Sequence, residues 1–230
     1  IDAHDGGSPT PSASIVSAST NVTPAPSSGE RVRIAAWNIA NLHYEDDVHL
    51  PGRPTGAKRS ASDFERLARY VRVLDADIIA FQEVNGPLAA RRVFPEDEYD
   101  IIISNRYDED IATAQDTDHI YTGIAIKKGS AVEFIAGDTY EELSIPHTED
   151  GVTRPTRRGT EVLVELPNGE PLQVLSVHLK SGCHQGRLDV TTRPACETLG
   201  KQRVPLEAWS DDLTEANTPF VIAGDWNRRM

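Results

Sequence analysis

The chain has 230 residues, of which 38% are hydrophobic and 26% are charged, and its formal net charge is −13. This length suffices for one substantial core, and no apolar run approaches the roughly 20 residues of a membrane-spanning helix. The negative charge argues against loose electrostatic binding to nucleic acid, which depends on Lys and Arg neutralising phosphates. It does not exclude a site that meets phosphate through a bound cation.

The N-terminal region differs in composition from the rest of the chain. Residues 1–30 consist largely of Ser, Thr, Pro, Ala and Gly, which is typical of a disordered tether. No initiator Met and no hydrophobic signal segment is present, which fits a mature exported protein and fits a recombinant product equally well. We therefore predict a tether over residues 1–30 and a folded domain over residues 31–230.

The first half of the domain alternates apolar runs with a helical pattern. Ser62 and Glu65 have the spacing of a capping box, and the apolar residues behind them recur at helical intervals. The predicted elements are a buried strand at 32–37, a polar loop at 41–61, a helix at 62–75, a buried strand at 77–82 and a short helix at 87–94.

Hairpin signals dominate the second half. Pro167-Asn168-Gly169 separates two apolar runs, Lys128-Gly129 predicts a turn between consecutive strands, and Pro205 suits the first turn of a helix. The predicted elements are strands at 99–104, 122–127 and 131–136, a polar loop at 138–157, strands at 161–166 and 172–178, a helix at 206–216 and a strand at 219–223. This order predicts an α/β (α+β) fold of mixed sheets with helices on the outside.

The two cysteines, Cys183 and Cys196, lie close together in a polar stretch. The alternatives are two free thiols, a zinc site for which only His184 is a neighbouring ligand, and a disulfide. We favour the disulfide, which would stabilise the fold by about 3 kcal/mol and would imply an oxidising compartment.

Polar side chains follow the ends of four predicted buried strands. They are Asn38, Glu83, His178, and Asp225 together with Asn227. An isolated Asn or Asp at such a position is usually a turn former, but turns alone do not require Glu and His. Carboxylate and amide oxygens are ligands that Mg²⁺ accepts, a second carboxylate could take a proton from water, and His178 could contact or protonate a phosphate. The residue types therefore indicate a metal-assisted phosphoester hydrolase.

Four short motifs carry a family resemblance. Trp37-Asn38-Ile39, Gln82-Glu83-Val84, Ser176-Val177-His178-Leu179 and Gly224-Asp225-Trp226-Asn227 resemble, in this order, the endonuclease/exonuclease/phosphatase superfamily. The resemblance runs from about Arg31 to the end and implies a four-layer α/β/β/α sandwich of two mixed sheets. The stretch around both cysteines further resembles exported bacterial members, in which these cysteines are expected to pair, and implies an extracellular or periplasmic protein.

The resemblance also implies roles for the strand-exit residues. Glu83 would be the principal ligand of Mg²⁺, with Mn²⁺ or Ca²⁺ as alternatives, and Asn38 would hold the metal or its water. Asp225 would orient or deprotonate the attacking water, Asn227 would fix that carboxylate or a phosphate oxygen, and His178 would bind the phosphate. Attack would be in line, without a covalent intermediate.

Other polar residues are weaker candidates. Lys180, beside His178, is a further candidate for phosphate binding, and Tyr121 falls where the family often places a substrate contact. Arg157-Arg158 is predicted to be a solvated pair. The remaining histidines are predicted to be solvated as well, namely His43, His49, His119, His147 and His184.

The chain departs from the family pattern near its end. Family members carry an Asp-His pair after the last motif, whereas only Arg228, Arg229 and Met230 follow Asn227 here, and Asp118-His119 comes too early in the order. We therefore expect a domain whose last strands are missing and a polypeptide that hydrolyses phosphoesters poorly. The expected substrate is a nucleic acid, a phospholipid or a small phosphodiester, with no stable protein partner implied. The alternative is a secreted, non-catalytic binding module.

Overall fold

The computed structural model describes residues 31–52, 58–113, 119–189 and 192–229, so the predicted tether at 1–30 lies outside the described residues. The elements are β1 (Ile34–Leu42), α1 (Ala61–Leu74), β2 (Ile78–Val84), α2 (Pro87–Arg91), β3 (Tyr99–Ile103), α3 (Arg106–Ala112), β4 (Tyr121–Lys127), β5 (Glu133–Tyr140), a 3₁₀ turn (Glu141–Leu143), β6 (Pro146–Glu149), β7 (Val152–Pro155), β8 (Gly159–Glu165), β9 (Pro171–His178), α4 (Pro194–Glu215) and β10 (Phe220–Asp225).

Two four-stranded sheets form the centre of the fold, and both are mixed. The first has the order β1-β2-β4-β3 and the second the order β10-β9-β8-β5. β1 pairs with β2 in parallel, β9 pairs with β10 in parallel, and the remaining neighbours in these sheets are antiparallel. The expected architecture of two mixed sheets with flanking helices is therefore confirmed.

Side-chain alternation along the strands separates the core into layers. In β2, Ile78 joins the cluster between the two sheets, whereas Ile79 and Phe81 join the cluster beneath the helices on the outer face. Phe64 and Val71 of α1 are buried in that outer cluster. Trp209 of α4 packs in a third cluster, on the outer face of the second sheet. The order of layers is helix, sheet, sheet, helix.

Buried polar side chains connect the two sheets. Gln82 Nε2 donates to Ser176 Oγ at 3.1 Å, and Ser176 Oγ donates to the Phe81 carbonyl oxygen at 3.3 Å. The hydroxyls of Thr122 and Thr160 lie 2.9 Å apart. Burying a polar group is costly unless it is hydrogen-bonded. These hydrogen bonds therefore favour one position of the two sheets relative to each other.

The predicted cap of α1 is wrong by two residues. Ser60 is the N-cap, its hydroxyl accepts from the Asp63 backbone N–H at 3.3 Å, and the Asp63 carboxylate accepts from the Ser60 backbone N–H at 3.0 Å. The same spacing therefore occurs twice in this stretch. The pair that comes first in the chain forms the box, which leaves Ser62 and Glu65 inside the helix.

Lys128-Gly129 forms the predicted turn between consecutive strands, but the two strands do not pair with each other. β4 pairs with β2 and β3 in the first sheet, whereas β5 pairs with β8 in the second. The chain therefore crosses between sheets at this turn. The predicted loop at 138–157 instead contains the end of β5 and the antiparallel pair β6–β7, which the sequence does not reveal because almost all of its side chains are exposed.

The last helix begins earlier than predicted. α4 starts at Pro194 and runs for 22 residues, so Pro205 lies in its interior rather than in its first turn. The carbonyl oxygen of Pro205 accepts a hydrogen bond from Tyr140 Oη at 2.8 Å. Within the described ranges, no helix has both the length and the apolar character needed to cross a bilayer.

Cys183 and Cys196 form a disulfide, as favoured from the sequence, so free thiols and a zinc site are ruled out in this structure. Both half-cystines are buried, at 0% and 2% exposure, against Leu179 and Leu199. The bond joins the loop after β9 to the first turn of α4 and so lies close in sequence to His178.

Replacing both cysteines by alanine is expected to lower the free energy of unfolding by about 3 kcal/mol, because the bond closes a short loop in the unfolded chain. For a domain of this size the corresponding fall in Tm is about 6–12 °C. Thermal denaturation of the double variant and of the reduced wild-type protein should give similar shifts. An unchanged Tm in both samples would contradict the prediction.

Candidate active site

The two parallel strand pairs end at the same rim of the molecule. Asn38 lies in β1, Glu83 in β2, His178 ends β9 and Asp225 ends β10. Asn38 is inside its strand rather than after it, because β1 continues to Leu42. The carboxyl ends of parallel strands are common ligand sites, and here two such pairs face each other across the inter-sheet core.

The four side chains meet in one cluster. Asn38 Nδ2 donates to Glu83 Oε1 at 3.0 Å and to Asp225 Oδ2 at 2.9 Å. His178 Nε2 lies 3.6 Å and 3.7 Å from the same two oxygens. Ligand atoms of Glu83, His178 and Asp225 all lie within 4.8 Å of one another. The first sheet thus contributes Asn38 and Glu83, and the second contributes His178 and Asp225.

The backbone around Glu83 is bent to present its carboxylate. Glu83 itself has φ 61°, and Ala40 and Asn41 have φ 54° and 56°. The pairing of β1 with β2 changes register in this stretch, and the Asn41 backbone N–H donates to Glu83 Oε2 at 3.0 Å. Left-handed conformations of non-glycine residues carry strain and concentrate at functional sites. The bend gives the second carboxylate oxygen of Glu83 a fixed partner.

Asp225 is oriented by the residues that follow it. Its Oδ1 accepts from the Asn227 backbone N–H at 2.8 Å, and the Asn227 side-chain Nδ2 donates to the Leu179 carbonyl oxygen at 3.0 Å. The Leu179 backbone N–H in turn donates to the Asp225 carbonyl oxygen at 2.9 Å. These contacts join the exits of β9 and β10 and leave Asp225 Oδ2 facing the cluster.

The donor set fits a divalent cation. Two carboxylates face each other with one amide between them, and the imidazole of His178, only 3% exposed, lies within 3.7 Å of both. Carboxylates this close repel each other, and a cation between their oxygens would remove that repulsion. Magnesium takes one or two carboxylates and keeps several waters, which leaves room for a phosphate oxygen.

Asn38 presents its nitrogen rather than its oxygen to the cluster. Its Oδ1 accepts from the Ala40 backbone N–H at 2.9 Å, and this contact fixes the orientation of the amide. In this arrangement Asn38 positions the carboxylates of Glu83 and Asp225. The role of Asn38 as a metal ligand stays a prediction, and it would require the amide to turn.

Lys180 faces a different neighbour. Its Nζ lies 4.0 Å from Glu149 Oε2 on β6, and its backbone N–H donates to Gln202 Oε1 at 2.8 Å. Among the described residues, Lys180 therefore contacts groups outside the cluster of Asn38, Glu83, His178 and Asp225. Its role in phosphate binding stays a prediction.

Two side chains predicted to be solvated are in fact largely buried. Arg158 is 12% exposed, and its Nη1 pairs with Glu109 at 2.7 Å and with Glu141 at 3.3 Å. His147 is 10% exposed and its Nδ1 contacts Thr198 Oγ1 at 2.9 Å. No local sequence pattern marks these partners, since they come from distant parts of the chain.

Comparison with known proteins agrees with this geometry. The Endonuclease/Exonuclease/phosphatase family profile matches residues 35–230, whereas no curated protein sequence matches the chain. An endonuclease/exonuclease/phosphatase from Bacteroides vulgatus superposes with a TM-score of 0.57 at 18% identity, covering 85% of this chain and 66% of that one. Humanized D. rerio TDP2 gives 0.51 at 18%, covering 86% and 63%, and the human nocturnin catalytic domain gives 0.53 at 13%, covering 86% and 64%.

At these identities the solved structures support the fold alone, and the chain spans less than two thirds of each of them. The match to the family profile does show membership, because it extends over most of the chain and includes all four strand-exit motifs. The chain therefore belongs to the endonuclease/exonuclease/phosphatase family.

Proposed function

We propose that this protein hydrolyses phosphoester bonds by attack of water at a divalent metal site, with Mg²⁺ as the preferred ion. The observation that carries the proposal is the convergence of Glu83, His178 and Asp225 within 4.8 Å. Mn²⁺ and Ca²⁺ are alternatives, because the donor set of carboxylate oxygens does not exclude them.

The residues have separate tasks in this mechanism. Glu83 and Asp225 would hold the cation, whose chemistry there would be to polarise a phosphoryl oxygen and to lower the pKa of bound water. Asp225 accepts the proton of the attacking water or orients that water. His178 Nε2 donates to a phosphoryl oxygen, where charge increases in the transition state. Asn38 and the Asn227 backbone N–H keep the two carboxylates in place.

The substrate class and the compartment are part of the same proposal. The buried disulfide supports an oxidising compartment and hence an extracellular or periplasmic enzyme. The net charge of −13 favours a small or lipid phosphodiester over a long nucleic acid, since the latter binds through many basic contacts. A nuclease activity remains compatible with a cation held at Glu83.

A non-catalytic binding module is the second candidate. One observation favours it: Asn38 already donates to both carboxylates, so the cluster has a hydrogen-bonded arrangement of its own. Such a module would have no reason to bind a divalent cation at Glu83. A titration with Mg²⁺ or Mn²⁺ therefore separates the two candidates before any turnover is measured.

Asp225→Asn is expected to lower the Mg²⁺-dependent hydrolysis of bis(p-nitrophenyl) phosphate by at least about 100-fold, because it removes both a ligand and the proton acceptor. Asp211→Asn, an exposed position on α4, is the matched control and should leave the rate unchanged. Circular dichroism checks that both variants are folded. Turnover that persists in EDTA, or in the Asp225 variant, would contradict the mechanism.

A further inference from the structure

A second polar cluster surrounds a buried carboxylate on α3. Asp110 is 1% exposed, its Oδ1 accepts from Arg106 Nε at 2.7 Å, and its Oδ2 accepts from Tyr121 Oη at 2.8 Å and contacts His119 Nδ1 at 2.7 Å. Burial acts to raise the pKa of Asp110, but the hydrogen bonds from His119, Tyr121 and Arg106 outweigh it and lower that pKa below its ordinary value. The carboxylate is thus an ionised anchor for the side chains around it.

This cluster lies on the same rim as Glu83. Tyr121 of β4 is opposite Val84, the residue after Glu83, and Asn85 Nδ2 donates to the His119 carbonyl oxygen at 2.7 Å. Arg106 follows β3, which is the next strand beyond β4. Neighbouring strands are about 4.8 Å apart, so the cluster is displaced from Glu83 by one to two strands, or about 5–10 Å.

The guanidinium of Arg106 keeps N–H donors that Asp110 does not use, and the imidazole of His119 keeps a second ring nitrogen, which donates when the ring is protonated. Arg106 engages Asp110 through Nε, and His119 engages it through Nδ1. Within the part of the chain that the structure describes, no protein group forms a hydrogen bond with the terminal guanidinium nitrogens of Arg106 or with His119 Nε2. The two side chains are 25% and 44% exposed, so these nitrogen atoms are accessible to a ligand.

The arrangement differs from a solvated surface pair. Holding a charged carboxylate at 1% exposure is costly, and anchoring α3 alone would not require a half-exposed imidazole on the same oxygen. The contact with Asp110 also restrains the imidazole and the guanidinium, so less conformational entropy is lost when they bind an anion. In a chain with a net charge of −13, this places a restrained guanidinium and a restrained imidazole beside the proposed metal site.

We propose that Arg106 and His119 form a second anion-binding subsite, which takes a phosphoryl group adjacent to the one bound at Glu83. The preferred substrate is then a small molecule or a short nucleotide segment that carries two phosphoryl groups. This inference rests on the proposed function for the position of the first phosphoryl group. The displacement of one to two strands matches the separation of two phosphoryl groups on one sugar or on adjacent nucleotides.

The test compares thymidine 3′,5′-bisphosphate with thymidine 5′-monophosphate, and the 5′-phosphorylated dinucleotide distinguishes a nucleic-acid backbone from a small bisphosphate. In the presence of Mg²⁺, wild-type protein is expected to bind the bisphosphate about tenfold more tightly than the monophosphate, because hydrogen bonds to charged groups are among the stronger ones. Isothermal titration calorimetry measures this ratio. In parallel, the ¹⁵N resonance of His119 Nε2 should shift with the bisphosphate and not with the monophosphate.

His119→Gln and Arg106→Gln are expected to reduce the ratio, and the double variant should bring it close to one. Arg203→Gln, which removes a positive charge from an exposed position on α4, should retain the ratio. His119→Gln decides the question even if Arg106→Gln unfolds, since His119 is half-exposed. Equal wild-type affinity for the two ligands, or a ratio retained in folded His119→Gln, would overturn the subsite.

The two proposals can fail separately. Absence of Mg²⁺ binding by the wild-type protein would overturn the proposed function, while loss of the metal-free bisphosphate affinity in His119→Gln, or its retention there, would still decide the subsite. Conversely, normal Mg²⁺ binding with no preference for the bisphosphate would overturn the subsite and leave the proposed function intact.

Discussion

Glu83→Gln is expected to abolish the stabilisation that the wild-type protein gains from Mg²⁺. At a concentration 100-fold above its Kd, a ligand that binds only the folded state stabilises it by about 2.7 kcal/mol. For a domain of this size that corresponds to a rise in Tm of about 5–10 °C. The amide removes the charge of the proposed principal ligand, so we expect the Mg²⁺ affinity to fall by at least about 100-fold.

The same substitution should act in the opposite direction without metal. It removes one of two carboxylates that face each other around Asn38, so metal-free Glu83→Gln is expected to be at least as stable as the metal-free wild-type protein. Glu165→Gln, at an exposed position on β8, is the matched control and should keep the full Mg²⁺ shift. Differential scanning fluorimetry across an Mg²⁺ series measures both effects, and an equal shift in Glu83→Gln would count against the site.

Gly224→Ala is the second substitution with a large expected effect. Gly224 has φ 142°, and a Cβ atom there would lie 2.1 Å from the Val177 carbonyl oxygen and 2.9 Å from the Val177 backbone nitrogen. Since both contacts are with backbone, β9 and β10 must move apart. We expect a loss of about 3 kcal/mol or more in the free energy of unfolding, from strain and overpacking together.

The movement should also separate Asp225 from His178, which are opposite each other in the β9–β10 pairing. Loss of the Mg²⁺-dependent rise in Tm is therefore expected along with the lower stability. Gly169→Ala is the matched control, because Gly169 also has a positive φ, of 80°, but a Cβ there meets nothing within 4 Å. A Gly224→Ala protein that melts and binds Mg²⁺ like the wild type would show that the strands can absorb the extra methyl group.

The position of the site could be predicted from the sequence because it follows from strand direction. Apolar runs locate the strands, and polar residues at the ends of parallel strands share one edge. The orientation of Asn38 could not be predicted, because it depends on the Ala40 backbone N–H and on a left-handed bend at residues without glycine. The support of Glu83 by the Asn41 backbone N–H has no signature in residue type either.

The errors in the fold have physical causes as well. The sequence does not predict β6 and β7 because their side chains are almost all exposed. A strand without a buried face shows no alternation of apolar and polar residues. The sequence predicts the start of α4 too late because proline favours the first turn of a helix; Pro205 has that signature, but the helix begins at Pro194. The contact of Asp110 with His119 joins α3 to the loop before β4, nine positions along the chain, and no local pattern encodes it.

The division of the cluster between two sheets affects when a metal site can exist. Asn38 and Asp225 are separated by 187 positions along the chain and meet only after both sheets have packed together. Contacts between such distant residues form late in folding, because closing the long intervening loop must come first. A growing polypeptide therefore cannot assemble the cluster until β10 has emerged and docked beside β9, so the proposed hydrolysis of phosphoesters cannot begin before that point.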